Sequence, residues 1–504
     1  MKRAKRALGL VTLFFLLHGL FVLFKGSLES SDDNGGGATY TEDEDSGSFD
    51  TAPASDEFAV DNDPPTTTAS DDANQSRINS TLCQYNECLT GRWVPRDPPF
   101  ESLAAFQKVF ATKGSTIWSK CEIADPPAGV TRTPEEKQRL EQQRMVDIMN
   151  WVWQPSRGEQ IPWDPEDLVV RLLKTPGGIV FMGDSLSQGH DHSFGSYLQE
   201  AGMQLDVNPP HLPKDSGIRS HILHPGHPKT LELQKRAGVP DSRMQYPVYS
   251  IIEEHMLVHE EDLRYLTGLY GAQPDWQWHL QAMRRADDWG KFFKWMTETR
   301  PGEEESVTKD TILFLNTGAH WSRGTLYMLP ETGDPVEERS TLTQLYKTMV
   351  KMVMKRFSEH TRLTVLYRAT NAGHPSCHLY DKPFSDAAEA LKGEARFLEL
   401  TDAQAANPVD RKVRRRWDWD MFNTHSHVWR KEIEGLQRER KASIERGEDV
   451  QGVKWLFVDL YEMSLQRPDA HGSPGKDCLH WCLPAVYNEW SRHIYHLLYL
   501  EMEQ

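Results

Sequence analysis

Gly178-Ile179-Val180-Phe181-Met182-Gly183-Asp184-Ser185-Leu186 joins four apolar residues to Gly-Asp-Ser and then to a polar segment able to start a helix. Such a run reads as a buried strand opening into a helix N-terminus, with Ser185 at the junction. A serine so placed sits at a strand's carboxyl end, near backbone N–H groups able to stabilise an oxyanion. The plainer reading is that Asp184 and Ser185 only cap the helix. By average residue usage, Gly-Asp-Ser arises by chance roughly 0.1 times in a chain this long, so the triplet alone decides little.

A second stretch, Asp477-Cys478-Leu479-His480-Trp481-Cys482-Leu483-Pro484, places an acid and a histidine three residues apart. A nucleophilic serine needs a base, and the base needs an orienting carboxylate; one D-x-x-H turn supplies both. Together, Gly183-Asp184-Ser185 and the distant D-C-x-H-W-C-L-P resemble the trichome-birefringence-like, or PC-esterase, family. Three further blocks follow that family's order. Glu87-Cys88-Leu89-Thr90-Gly91-Arg92-Trp93-Val94 is similar to its N-terminal start, Trp151-Val152-Trp153-Gln154-Pro155 to its W-x-W-Q-P, and Phe314-Leu315-Asn316-Thr317-Gly318-Ala319-His320-Trp321 to its F-N-T-G-H-W with one extra residue. The five blocks cover roughly residues 83–500.

The resemblance implies an SGNH/GDSL-like α/β fold, a parallel sheet flanked by helices, with a family-specific region at 81–176 and a catalytic domain at 177–504. Ser185 is then the nucleophile, His480 the general base and Asp477 its orienting acid. The Ser185 backbone N–H and the Asn316 side chain would form the oxyanion hole. The sequence departs from the family in three places. Ser156-Arg157-Gly158-Glu159 lacks the cysteine usual after W-Q-P, Ala485 replaces a glycine, and Leu186-Ser187-Gln188-Gly189-His190 lacks the familiar asparagine and arginine. These departures put the disulfide pattern and the acceptor contacts in question.

The residues themselves read as alternating strands and helices. Thr311–Leu315, Leu363–Arg368 and Trp455–Leu460 are further buried-strand runs, so Ser185, Asn316 and Arg368 would share the carboxyl edge of one parallel sheet. On its residues alone Asn316 is also an ordinary turn asparagine at a strand end. Thr133-Pro134-Glu135-Glu136 is a capping box opening a helix at about 134–152, and further helices are expected at about 187–202, 341–359 and 425–448. Residues 205–250, rich in Pro, His and Gly, read mostly as loop; His221, His224 and His227 line a cleft or are ordinary loop residues. Trp417, Trp419 and the charges around them suit sugar rings or a polyanion, and equally a solvated helix end.

Residues 1–6 carry four positive charges ahead of the apolar run Ala7–Phe24, interrupted only by Thr12, His18 and the glycines. No small-x-small cleavage site follows, so 7–24 reads as a transmembrane signal anchor with a cytosolic tail at 1–6. A cleaved signal peptide is the alternative. On the anchor reading the protein is single-pass type II in the Golgi membrane, its catalytic domain luminal. Residues 27–80 are an acidic stem, with fourteen acids against Arg77, and account for most of the net charge of −17. That balance argues against nucleic-acid binding. Asn74 and Asn79 begin glycosylation sequons. Cys83, Cys88, Cys121, Cys377, Cys478 and Cys482 make an even set, which favours disulfides with fifteen possible pairings, while C-x-H-x-C at 478–482 is also a conceivable zinc ligand set.

The expected chemistry is acyl transfer through an acyl-enzyme on Ser185. A sugar hydroxyl as acceptor makes the protein a polysaccharide or glycan O-acetyltransferase, the reading the resemblance favours; water makes it an esterase. A catalytically inactive glycan-binding protein on the same fold is the third reading. No phosphate-binding glycine loop appears, and Ser187 stands where a G-x-S-x-G elbow needs its second glycine. No tightly bound cofactor is implied. The acetyl donor, acetyl-CoA or another, is a substrate, and an acetyl-donor transporter is a possible partner.

Overall fold

Two of the motif blocks pair with each other. Gly91–Pro95 (β1) and Trp151–Pro155 (β2) form an antiparallel ribbon with Trp93 opposite Trp153. Their indoles meet edge to face, and each N–H has a backbone acceptor: the Trp93 indole donates to the Met463 carbonyl, the Trp153 indole to the Cys88 carbonyl, both at 2.8 Å. The computed structural model describes residues 82–109, 121–213, 217–276, 289–405 and 417–502, all within one compact unit. Between the ribbon strands runs α1, Pro134–Met149. It starts as expected, the Thr133 hydroxyl accepting the Glu136 N–H with Pro134 in the first turn, and ends before Trp151 because β2 begins there.

After α2 (Pro165–Leu173) comes β3, Ile179–Gly183, and then α3, Ser185–Glu200. β3 is buried on both faces. Ile179 and Phe181 point into one half of the core with Phe194 and Trp490; Val180 and Met182 point into the other with Met349 and Trp429. Each such side chain contributes on the order of 1.5–3 kcal/mol by leaving water. Around β3 the sheet adds β4 (Leu205–Val207), β5 (Ile218–Leu223), β6 (Tyr249–Glu253), β7 (Thr311–Leu315), β8 (Leu363–Arg368) and β9 (Lys454–Val458), in the order β4-β5-β6-β3-β7-β8-β9. The long helices α4 (Pro335–Phe357) and α5 (Phe422–Glu445) cover one face. The short α6, Tyr461–Leu465, leads from β9 to a two-stranded ribbon, β10 (His471–Ser473) with β11 (Asp477–Trp481), and α7, Ala485–Met502, follows.

The expected purely parallel sheet needs correction: the sheet is mixed. β6, β3, β7, β8 and β9 are parallel neighbours, but β4 pairs β5 and β5 pairs β6 antiparallel. The same edge overturns the loop reading of 205–250. The apolar runs of its strands are short and interrupted by buried polar residues, His221 stacking on Tyr249 at 4.1 Å and Ser250 donating to Ser220, so hydropathy conceals the strands. Neither His224, paired with Asp206, nor His227, before the helix Pro228–Ala237, joins the serine site.

The membrane expectation is corrected as well. Among the described residues no helix is long and apolar enough to cross a membrane. The single-pass Golgi placement and the membrane-spanning part of the fold assignment are withdrawn. Residues 7–24, the stem and the sequons at Asn74 and Asn79 lie outside the described residues.

Candidate active site

Gly183 ends β3 where its backbone passes close to β7. A Cβ there would press on the Asn316 carbonyl and lie 2.6 Å from Ser187 Oγ, at a φ of +154° that side chains rarely adopt. Asp184 then caps α3, its Oδ1 accepting the Leu186 N–H at 3.1 Å. Ser185 becomes the first helical residue, half-buried, with a backbone N–H that helix geometry leaves without an i−4 acceptor. Capping and chemistry are therefore neighbours here rather than rivals.

The base comes from 295 residues away: His480 Nε2 is 2.7 Å from Ser185 Oγ. Its Nδ1 is 2.7 Å from Asp477 Oδ2. A carbonyl-like acceptor at Nδ1 makes that nitrogen the N–H, leaving Nε2 to accept the serine proton. Asp477 Oδ1 accepts the backbone N–H groups of Leu479 and His480 at 3.1 and 3.2 Å. Burial alone would raise the Asp477 carboxyl, but the hydrogen bond and charge of His480 and these two N–H groups hold it below the usual carboxylate range.

Three disulfides join the cysteines as Cys83–Cys88, Cys121–Cys482 and Cys377–Cys478. Cys478 and Cys482 thus go to different partners on either side of His480. Their sulfurs are spent in those bonds, and His480 faces Ser185 and Asp477, so the C-x-H-x-C zinc reading does not fit this arrangement. The Cys478 carbonyl also accepts the His374 N–H, and the Cys482 N–H donates to Ala470, which fixes the β11 ribbon from both ends.

Asn316 sits fully buried at the end of β7, its side-chain amide donating one hydrogen to the Arg368 carbonyl at 3.0 Å. No other hydrogen bond of that amide nitrogen is seen among the described residues. Arg368, at the end of β8, is a buried cation lying 4.6 Å over the Trp490 ring and bonded to Asn371. Burial lowers its pKa, with the Asp184 charge opposing. Asp184 Oδ2 and Arg368 Nε and Nη2 are buried without a hydrogen-bond partner among the described residues, and the two charges influence each other without forming an ion pair.

Two further imidazoles flank the site and were not singled out by sequence reasoning. His255 and His320 stack at 4.5 Å and 10°, Gln188 lies 3.4 Å from His255, and Trp417 meets His320 edge to face at 5.6 Å. His320 is lowered by burial; the Asp184 charge opposes this and His480 adds to it, so it stays neutral beside the base. His320 stands in the F-N-T-G-H-W-like block, whereas His255 follows β6 by two residues and becomes visible only once β6 is known as a strand. His190, where the family's pattern departs, is instead buried against Phe181 and bonded to Ser491.

No protein-family model matches the chain.

Proposed function

We propose that the protein is a serine acyl-transfer enzyme of the PC-esterase type, an O-acetyltransferase acting on polysaccharide or glycan hydroxyls. The observation that carries this reading is the continuous 2.7 Å relay Ser185–His480–Asp477, with Ser185 at the first position of a helix. Ser185 Oγ attacks the donor carbonyl as its proton passes to His480 Nε2; the acetyl group is left on Ser185 and the donor's leaving group departs with that proton. His480 then takes the proton of an acceptor hydroxyl, which attacks the acyl-enzyme and frees Ser185. In this mechanism the Ser185 N–H and the Asn316 side-chain amide stabilise the oxyanion. His320 and Trp417 offer a neutral imidazole and an aromatic face where a sugar would approach.

With water as acceptor the same relay gives an esterase. The full chain and its Ser185→Ala variant, given acetyl-labelled donor with and without a glycan panel, separate the outcomes. Label moving to a glycan only with Ser185 present supports the transferase. Donor consumed equally without glycan shows an esterase, and turnover independent of Ser185 sinks the acyl-enzyme reading.

A further inference from the structure

Behind the catalytic ribbon lie two fully buried histidines that the relay does not use. His374, in the loop after β8, places Nε2 at 2.9 Å from the Leu465 carbonyl and Nδ1 at 2.7 Å from His471 Nε2. His471, on β10, places Nδ1 at 3.2 Å from the carbonyl of His480. Its ring stacks on Trp481 at 4.2 Å.

Counting hydrogens along this line exposes a mismatch. Both ends are carbonyl oxygens, which only accept. The Leu465 contact needs a hydrogen on His374 Nε2, the His480 contact needs one on His471 Nδ1, and the nitrogen–nitrogen contact between the rings needs a third. Two neutral imidazoles carry two. A neutral pair therefore leaves one contact as lone pair against lone pair, and a pair with one added proton satisfies all three. The 2.7 Å nitrogen–nitrogen separation lies at the short end, where charge-assisted bonds fall.

We infer that His374 and His471 titrate as one unit that takes up a single shared proton in acid, and that this unit positions His480 and opposes its ionisation when charged. Both are positioning residues, acting through the His480 carbonyl and the β10–β11 ribbon. The charged groups around them are few. Arg144 of α1 donates to the carbonyls of His471 and Asp469 at 2.7 Å; Arg467 and Asp469 form a buried pair with two 2.9 Å contacts; His480 itself lies on β11. Phe397 and Trp481 supply the apolar walls. Burial holds His374 down to about 4, with the Leu465 carbonyl and Asp469 opposing, and burial with the neighbouring His374 charge pushes His471 well below its ordinary range as well. The unit is thus neutral near pH 7, where His480 must become an imidazolium during turnover. In acid it completes its hydrogen-bond line and places a positive charge behind that imidazole.

The kinetic part of this inference rests on the acyl-transfer reading; the shared proton does not. The test is imidazole ¹⁵N NMR of the full chain with ring-labelled histidine, titrated from pH 7 into acid, the signals assigned with His374→Gln and His471→Gln. Both rings moving at one midpoint, with one proton gained between them, supports the unit. Separate midpoints, or no proton gained before the fold is lost, overturns it; the variants serve only to assign the signals, and the titration is read on the parent protein. The reciprocal effect provides the second readout. If two positive charges oppose each other, the midpoint of the His374–His471 unit rises in His480→Gln, and an unmoved midpoint overturns that part. If Ser185-dependent turnover is found, the acid limb of log kcat steepens from about one proton to about two in the parent, and stays near one in His374→Gln, whose activity at pH 7 falls by less than about threefold. An acid limb that is the same in both removes the positioning role. Absence of turnover condemns the acyl-transfer reading and leaves the NMR result standing.

Discussion

Cys482, two residues beyond His480, is bonded to Cys121, 361 residues earlier in the chain. The first part of the chain thereby holds the ribbon that carries the base. Replacing both cysteines by serine releases that constraint from the unfolded state and slackens the ribbon. A loss of about 2–5 kcal/mol is expected, read by urea denaturation, together with a lower kcat at unchanged donor KM.

Asp477→Asn keeps the shape of the side chain but removes the charge and allows the wrong imidazole tautomer. With His480 Nδ1 at 2.7 Å, kcat is expected to fall on the order of 10⁴-fold, the scale seen for an orienting acid, with far-ultraviolet circular dichroism unchanged. Steady-state kinetics check it, and a loss under tenfold would mean that another group orients the base.

Gly183→Ala tests the close approach beneath the nucleophile. The added methyl meets the Asn316 carbonyl and Ser187 at a positive φ, so the strand end must shift. The expected cost is about 1–3 kcal/mol from overpacking, with a drop in kcat that a stability change alone does not produce. Thermal unfolding and kinetics on one preparation distinguish the two effects.

Arg368→Met removes a fully buried guanidinium that lies over the Trp490 ring and is bonded to Asn371. Leaving Asn371 without that partner in a buried site is expected to cost about 1–3 kcal/mol, read by chemical denaturation. A variant as stable as the parent would show that these contacts contribute little.

Acid sensitivity follows from His425 and His493, both fully buried and both lowered by burial to about 3. Unfolded, each takes a proton near pH 6.5, so between about 6.5 and 3 the unfolded state binds more protons. Their contribution to stability is complete above pH 6.5 and is lost as pH falls, by roughly 1.4 kcal/mol per pH unit for each. Urea midpoints measured from pH 7.5 to 4.5 should fall steadily; a flat profile refutes this.

The strands β3, β7, β8 and β9 and the helices α1, α3, α4 and α5 were legible because each is a local pattern: an apolar run of strand length, or a capped helix with periodic apolar positions. The Ser185, Asp477 and His480 set was legible because nucleophile, base and acid must be these residue types, and two of the three lie in one turn. Local pattern failed at β4, three residues long and not buried, and at β5, where buried Ser220 and His221 interrupt Ile218, Ile222 and Leu223, so the antiparallel edge had no clear hydropathic signature. It also failed for His255 and for the His374–His471 pair, whose partners lie far away in the chain.

The sequence by itself determined that strands run at about β3, β7, β8 and β9, that a serine, an acid and a histidine stand in a pattern suited to a relay, and that the cysteines form an even set. Tertiary structure alone decided which cysteine bonds to which, that the sheet is mixed, that Ser185 and His480 come within 2.7 Å, and that Arg368 is fully buried. The division is physical. Hydrophobic period and capping act over a few residues, whereas pairing, desolvation and charge opposition depend on distances across hundreds of residues that only the packed chain establishes.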